Sequence, residues 1–213
     1  MSTAVNRNPS ISKVADRMAR GAATRTTLIT VARELFGAEG FADTSLDDVV
    51  EAARVTKGAL YHHFRGKEDL FAAVYEQVLR DVSDRVVAKF LLPDPWEALL
   101  TGCDLWINAH LDPSVQRIVM RDARAVLSWD ALRTMEERFG AVAIRGVLRR
   151  AIRTGLIEHQ PLRPLALMIM GALNEACFYV AAAEDTGVAR DEVRALTWRF
   201  LSNLRVNTNG AAD

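Results

Sequence analysis

The sequence predicts an all-α protein of about nine helices, divided into a small N-terminal domain and a larger C-terminal one. Apolar residues recur at three- and four-residue spacing along most of the chain, which is the helical period. No stretch alternates apolar and polar residues convincingly, so no strand is expected. Proline and glycine fall between the periodic segments, where helices end. Of the 213 residues, 50% are hydrophobic and 25% are charged, as in an ordinary globular protein.

The first helix is expected over about 24–38, because Leu28, Ala32 and Phe36 fall on one face of a helix there. Gly40 follows directly. A glycine at that place is expected to stop the helix in a left-handed conformation, which other residues adopt only at a cost.

Two short helices joined by a tight turn at Arg54 are expected next. Thr44 is expected to cap the second helix, with Asp47 three residues on as its partner in a capping box. Thr56 is expected to cap the third helix, whose inner residues are Leu60 and Phe64. The two helices and their turn have the spacing of a helix-turn-helix.

The fourth helix is expected to be long, because Val74, Val78, Val82 and Val86 repeat every four residues. Two prolines after it mark the start of a second folding unit. The remaining helices are expected at about 96–110, 114–127, 129–154, 162–183 and 190–206. The expected divisions are a flexible basic arm at 1–21, a first helical domain at 22–82 that contains the helix-turn-helix (motif 45–64), a second helical domain at 83–206, and a disordered tail at 207–213.

The net charge is zero, with 27 basic and 27 acidic side chains, but the basic residues are not evenly spread. Residues 1–27 carry five basic side chains against one acid, and residues 52–66 carry three against none. Local clusters of this kind favour phosphate binding. The apolar segment 165–183 is interrupted by Asn174 and Glu175, which favours a buried helix over a membrane span. A cytoplasmic protein without metal or cofactor is expected, with Cys103 and Cys177 as packed thiols.

The third helix is expected to present a polar, cationic and aromatic outer face. Lys57 supplies a cation, Tyr61 and His62 supply hydrogen-bond donors, and Gly58 lets the backbone approach a sugar–phosphate chain. Each of these residues alone is compatible with an ordinary surface. Together they indicate a helix that lies against DNA.

Three groups of residues carry a resemblance to a known family. They are Thr44-Ser45, the run Val55-Thr56-Lys57-Gly58-Ala59-Leu60-Tyr61-His62-His63-Phe64, and Lys67-Glu68-Asp69-Leu70-Phe71. Over about residues 24–74 the sequence resembles the DNA-binding domain of the tetracycline-repressor (TetR) family of bacterial transcription regulators. One departure is Arg54, where the family usually has glycine; a left-handed arginine there costs on the order of 1 kcal/mol and adds a charge near DNA.

The resemblance implies the DNA-binding residues one by one. The residues expected in the major groove are Thr56, Lys57, Gly58 and Ala59. The residues expected at the phosphate backbone are Thr44, Ser45, Tyr61, His62 and Lys67, and Arg54 and His63 are expected to lie close to DNA.

The resemblance also implies that the later helices bind an effector and form a homodimer, and the residues support part of this. The last two long helices, about 162–206, carry apolar stripes too broad for solvent-facing helices. A symmetric dimer reads a near-palindromic operator in double-stranded DNA. The residues expected to line an effector pocket are Trp106, His110, Met120, Phe139, Asn174 and Phe178, with Trp129, Met135 and Tyr179 as further choices. Aromatic residues and methionines at this spacing also suit a plain core, and Asn174 and Glu175 also suit the dimer interface.

The predicted function is a homodimeric, ligand-responsive transcriptional repressor that a small-molecule effector releases from its operator. The alternatives are an activator or a regulator without an effector. From other classes, a helical enzyme or a protein-interaction module with a DNA-binding head is disfavoured, because no nucleophile–base pair or phosphate loop is evident in the sequence.

Overall fold

The structure is a computed structural model that describes the backbone of residues 9–206 and the side chains of residues 18–206 except that of Phe90. Counting a helix with a π-helical turn once, the described residues form nine helices and no strand, with one isolated bridge between Ile157 and Arg205. The helices are α1 Pro9–Ala38, α2 Leu46–Ala53, α3 Lys57–His63, α4 Lys67–Phe90, α5 Pro95–Ala109, α6 113–126, α7 129–153, α8 Leu162–Ala182 and α9 Thr186–Ser202. The predicted all-α class is confirmed.

Two of the helices contain a π-helical turn. In α6 it spans Gln116–Asp122, and in α7 it spans Glu137–Ala141. A π-helical turn leaves backbone groups outside the regular helical pattern. The hydroxyl of Ser83 on α4 donates to the Phe139 carbonyl at 2.6 Å, so a carbonyl of the α7 turn accepts a side-chain hydrogen bond.

The chain divides into two compact units, one up to Val74 and one from Tyr75 onward, and α4 runs through the division. In the first unit α1 packs on α2 and α3. Its core includes an aromatic cluster in which the rings of Phe36, Phe41 and Phe71 have centroids 5.2 to 5.8 Å apart. Gly40 has φ 96°, so the expected left-handed stop after α1 is confirmed.

The start of α1 differs from the expectation. We expected a flexible arm to residue 21 and a helix from about 24, but the helix already begins at Pro9. Proline suits the first helical position, and the alanines and arginines that follow it favour a helix. The hydroxyls of Thr24, Thr26 and Thr27 donate to carbonyls four residues back. Residues 1–8 of the expected arm and the expected tail 207–213 lie outside the described residues.

The second unit has its core between α4, α5, α7 and α8. The α4 valines Val78, Val82 and Val86 are buried, which confirms the four-residue pattern. Cys103 and Cys177 are both buried free thiols, and burial raises the pKa of each to about 12. They are packing residues and poor nucleophiles.

The last helix begins earlier than expected. Helix α9 begins at Thr186 and not near residue 190, because the Asp185 carboxylate accepts the Gly187 and Val188 N–H groups at 2.9 and 3.0 Å.

Helix α8 is long and apolar enough to cross a membrane by length and composition alone. A core helix passes the same test, and α8 buries Leu165, Ile169, Leu173 and Val180 inside the second unit.

Candidate functional site

The start of α2 is fixed by a capping box one residue later than expected. Ser45 is the cap: its hydroxyl accepts the Asp48 N–H at 3.1 Å, and the Asp48 carboxylate accepts the Ser45 N–H at 2.8 Å. These hydrogen bonds lower the pKa of Asp48. The expected box of Thr44 and Asp47 is therefore wrong, because Ser45 and Asp48 have the same three-residue spacing and take both roles.

Thr44 is buried, with 1% of its surface exposed. Its hydroxyl donates to the Gly40 carbonyl at 2.9 Å, which ties the end of the α1 loop to the start of α2. The expectation that Thr44 touches phosphate is wrong in this structure, since its polar atom is inside the domain. Ser45 remains exposed beside it.

The turn between α2 and α3 depends on Arg54. Its backbone has φ 54° and ψ 42°, the left-handed conformation, and its N–H donates to the Glu51 carbonyl at 3.1 Å. Arg54 is the only non-glycine residue with positive φ between residues 9 and 206. The expected left-handed arginine is therefore confirmed. This conformation costs an L-residue about 1–2 kcal/mol, while its side chain stays exposed on the surface.

Helix α3 is held by its cap and by two buried residues. The Thr56 hydroxyl accepts the Ala59 N–H at 3.1 Å, which confirms the expected cap. Leu60 and Phe64 are buried in the core of the first unit. Their burial orients the opposite face outward, and that face carries exposed Lys57, Gly58, Tyr61 and His62, with Ala59 and His63 half-buried.

Gly58 has no internal reason to be glycine. A methyl group built on its Cα would have the Thr56 hydroxyl as nearest neighbour, at an ordinary 3.9 Å. Its backbone is helical and its φ is not positive. An alanine therefore fits the domain, and what the missing side chain leaves open is the outer surface.

Lys57 has a partner that the sequence did not reveal. Its ammonium lies 2.7 Å from the Asp47 carboxylate across the α2–α3 junction, and this hydrogen bond raises the pKa of Lys57. Both side chains are well exposed, at 62% and 65%. Sequence reasoning missed the pair because it assigned Asp47 to the capping box, whereas Asp48 takes that role and leaves the Asp47 carboxylate to Lys57.

The start of α4 carries a further cation, Lys67. The Lys67 ammonium lies 4.4 Å from the centroid of the Phe41 ring and donates to the Ala42 carbonyl at 3.2 Å. These contacts hold Lys67 against the α1–α2 loop. Its expected phosphate contact stays a prediction.

The N-terminal part of α1 borders α3. Arg25 lies with its guanidinium 5.3 Å from the centroid of the Phe64 ring. An open cleft of about 610 Å³ is lined by Met18, Gly21, Ala22, Arg25, His62 and His63. We did not expect this cleft, since we took part of the segment that forms it for a flexible arm.

The second unit contains two small cavities that share Trp106. An apolar cavity lies beside Phe139, Cys103 and Met170. A polar cavity is lined by Tyr75, Trp106, Met120, Arg124, Glu136, Asn174 and Phe178, among others. Four of the six residues expected to line an effector pocket, namely Trp106, Met120, Asn174 and Phe178, thus surround one cavity, and Phe139 lines the other.

His110 lines neither cavity, so its expected place in a pocket wall is wrong. It is buried at 1% exposure at the end of α5, and its Nδ1 lies 2.8 Å from the Trp106 carbonyl. Burial lowers the pKa of His110 to about 4. The ring is therefore neutral at neutral pH and its Nδ1–H donates to that carbonyl.

Asn174 and Glu175 face different ways. The Asn174 amide lies in the polar cavity and donates to the Glu136 carboxylate at 3.3 Å, whereas Glu175 is exposed. Trp129 and Tyr179, the further choices for a pocket, are 72% and 54% exposed. They are surface residues, and Met135 does not line the polar cavity either.

Both parts of the sequence match models of known families. The model of bacterial regulatory proteins of the tetR family matches residues 28–74, and the model of a tetracyclin repressor-like C-terminal domain matches residues 96–204. The chain belongs to the TetR family. A crystal structure of a TetR-family transcriptional regulator from Pectobacterium atrosepticum is 36% identical, with a TM-score of 0.78, and the match covers 89% of this chain and 97% of that one.

Two further proteins are similar to this TetR-family chain along most of its length. The TetC protein of transposon Tn10 from Escherichia coli is 22% identical over 182 residues, which is 85% of this chain and 92% of that protein. RolR, crystallised with its ligand resorcinol, is 23% identical with a TM-score of 0.66, covering 86% of this chain and 89% of that one. As a member of the TetR family, by both family models and the 36% identical structure, the chain is a DNA-binding transcriptional regulator with a helix-turn-helix, and it is not an enzyme.

Proposed function

We propose that this regulator is a homodimeric, cytoplasmic repressor that binds a near-palindromic operator and is released from it by a small-molecule effector. The main support for the proposal is the outer face of α3. Lys57, Gly58, Tyr61 and His62 are exposed together there, and Gly58 is a glycine that nothing inside the domain requires. A missing side chain on an exposed helix face suits close approach to a sugar–phosphate chain.

The remaining DNA contacts follow from the same surface. Thr56, Lys57, Gly58 and Ala59 at the start of α3 enter the major groove. The residues that grip the phosphate backbone are Ser45, Tyr61, His62 and Lys67, with Arg54 and His63 close by. The exposed Arg54 side chain and the cleft next to His62 support a surface wider than α3 alone.

The dimer is proposed to form through α8 and α9. Large apolar side chains are exposed on these helices: Met168 at 66%, Leu196 at 59% and Phe200 at 44%. A shallow groove of about 210 Å³ runs between the helices, lined by Ile169, Ala176, Leu196 and Phe200 among others. Apolar surface of this extent favours burial against a second copy, which makes a four-helix interface.

The effector is proposed to bind in the second unit at the polar cavity. Partly buried polar groups there include Glu136 and Asn174, and RolR shows that a protein with this fold takes a small molecule. Effector binding is proposed to shift α4 and thereby change the spacing of the two α3 helices. Such an effect requires that the effector bind the two conformations with different affinity.

A gel-shift assay with DNA from upstream of the protein's own gene tests the proposal. At low salt the wild-type protein is expected to shift a near-palindromic fragment. The double variant Lys57→Ala, Tyr61→Ala is expected to lose roughly a hundredfold or more in affinity, because it lacks a cation and a hydroxyl at the interface. Its dimerisation, measured by sedimentation, is expected to be unchanged.

Lys89→Ala is the matched control, since Lys89 is exposed near the far end of α4. It removes one charge without touching α3 and is expected to leave binding unchanged. Equal binding by the double variant and this control would contradict the proposed surface.

A further inference from the structure

The polar cavity of the second unit has features that indicate what kind of molecule it takes. The inference rests on the proposed function, in which an effector binds this cavity. The wall of the cavity is formed by residues of α4, α5, α6, α7 and α8, which include Tyr75, Trp106, Arg124, Glu136, Asn174 and Phe178.

The wall includes irregular helix segments. Met120 lies in the π-helical turn of α6, and Glu136 directly precedes the π-helical turn of α7. The α7 turn also carries Phe139 and Gly140, which line the adjoining apolar cavity. Such turns in α-helices occur frequently at functional sites, since they place side chains where a regular helix would not. Two of them beside one pair of cavities distinguish this region from the regular helical packing of α8 and α9.

One buried donor at this place has no acceptor. Among the described residues, Trp106 Nε1 is buried and makes no hydrogen bond, although Trp106 is only 4% exposed. A buried N–H without a partner is destabilising, and such groups are rare in native proteins. An oxygen atom of a ligand beside Trp106 would supply the missing acceptor.

The charges around the cavity favour a neutral ligand. The Glu136 carboxylate is partly buried, and burial raises its pKa; the Arg124 guanidinium lies 4.0 Å from the centroid of the Phe178 ring. An anionic ligand is attracted by Arg124 but repelled by the Glu136 carboxylate, and a cationic ligand is attracted by Glu136 but repelled by Arg124. A neutral hydroxyl avoids both repulsions, because it donates to the carboxylate and accepts from a donor.

The cavity is also aromatic and small. Tyr75, Trp106 and Phe178 line it with aromatic side chains, which suits a flat ring. The cavity has a volume of about 20 Å³, enough for one or two water molecules. A single ring therefore requires the cavity to widen, and flexible methionines on its border, Met120 here and Met170 in the adjoining cavity, allow that.

We propose that the polar cavity binds a neutral, single-ring aromatic molecule that carries at least one hydroxyl group. Its hydroxyl donates to Glu136, its oxygen accepts from Trp106 or Asn174, and its ring packs against Phe178. The ligand binds the widened cavity more tightly than the narrow one. This difference in affinity couples ligand binding to the conformation of α4.

Isothermal titration calorimetry of the full-length protein tests the proposal with five probes of similar size. Resorcinol and phenol are neutral hydroxylated rings, benzoate is anionic, benzylamine is cationic and toluene has no polar group. Resorcinol or phenol is expected to bind with a Kd between about 1 μM and 1 mM, a range that suits so few atoms. The other three are expected to bind at least about tenfold more weakly.

A pair of neighbouring variants locates the site. Glu136→Gln is expected to weaken resorcinol or phenol binding about tenfold, because the charge-assisted hydrogen bond is lost. Glu137→Gln is the control: Glu137 does not line the cavity, and its carboxylate pairs with Arg163 at 2.8 Å. It is expected to leave the affinity within about twofold of wild type. Circular dichroism of both variants verifies that they are folded.

The results separate this proposal from the proposed function. Absence of resorcinol and phenol binding, tighter binding of benzoate or benzylamine, or equal losses in both variants would overturn the neutral hydroxylated ring even if the protein shifts its operator fragment. Failure to bind any DNA at low salt would overturn the proposed regulator, whatever the calorimetry shows.

Discussion

The buried histidine at the end of α5 makes the stability of the protein depend on pH in a calculable way. His110 is 1% exposed, and burial lowers its pKa to about 4 from 6.5, with the charge of Arg85 acting in the same direction and the hydrogen bond to the Trp106 carbonyl opposing. In the unfolded chain His110 takes up a proton near pH 6.5, but in the folded protein it does so only near pH 4.

The sign follows from these two values. Above pH 6.5 both states are neutral at His110 and the residue contributes no pH dependence. As the pH falls below 6.5 the unfolded chain binds a proton that the folded protein does not, so stability falls until about pH 4. The full loss is about 3 kcal/mol, and the part between pH 7 and pH 5 is about 2 kcal/mol.

Urea unfolding of the wild type and His110→Asn at pH 7, 6 and 5 measures this term. The asparagine amide keeps a donor for the Trp106 carbonyl but does not titrate. The variant has a fixed packing loss at every pH, so the informative quantity is the difference between the two proteins as a function of pH. Protein concentration is held constant, because dimerisation adds a concentration-dependent contribution.

Wild type is expected to lose about 2 kcal/mol more than His110→Asn between pH 7 and pH 5. Other titrating groups, such as Glu136, whose raised pKa acts in the opposite direction, are present in both proteins and cancel. Parallel stability curves for the two proteins would refute the reasoning, since they would mean that His110 is protonated without cost in the folded state.

Three further predictions concern the first unit. Arg54→Gly is expected to raise the free energy of unfolding by about 1 kcal/mol and the Tm by about 2–4 °C, because glycine adopts the left-handed turn without strain; thermal unfolding measures it, and a lowered Tm would contradict it. Gly58→Ala is expected to leave the Tm equal or slightly higher, since a methyl group fits the free protein, but to weaken operator binding about tenfold or more in a gel shift, since that methyl group would stand on the outer surface that is proposed to face DNA. Asp47→Asn is expected to strengthen DNA binding roughly several-fold at low salt, because it releases Lys57 and removes a negative charge. Unchanged affinity in gel shifts at all salt concentrations would show that Lys57 does not reach phosphate.

The parts of the fold that depend on local chemistry are predictable from the sequence. Gly40 ends α1, Thr56 caps α3, and Arg54 adopts the left-handed turn, because each depends on a few neighbouring residues. The helices themselves follow from the spacing of apolar residues, since that spacing decides which face is buried.

The errors arise where two local solutions compete or where partners are distant in sequence. Thr44 and Ser45 both suit the cap of α2, and only the burial of Thr44 against Gly40 decides between them. The Asp47–Lys57 pair and the burial of His110 depend on how helices meet, which the helical period does not encode. The polar cavity was predicted in part, because aromatic residues and Asn174 stood out in apolar helices, but Arg124 and Glu136 were not expected there, since nothing in the sequence distinguishes them from other charged residues.

Footprinting of the purified protein on the DNA upstream of its own gene, at low salt, tests the central claim most directly. The account predicts protection of two half-sites whose centres are about 34 Å, one helical turn, apart, with the protein bound as a dimer. It also predicts that this protection disappears in the Lys57→Ala, Tyr61→Ala double variant and persists in Lys89→Ala. A dimer that protects no site, or protection that survives the double variant, would contradict the assignment of α3 as the DNA-reading helix.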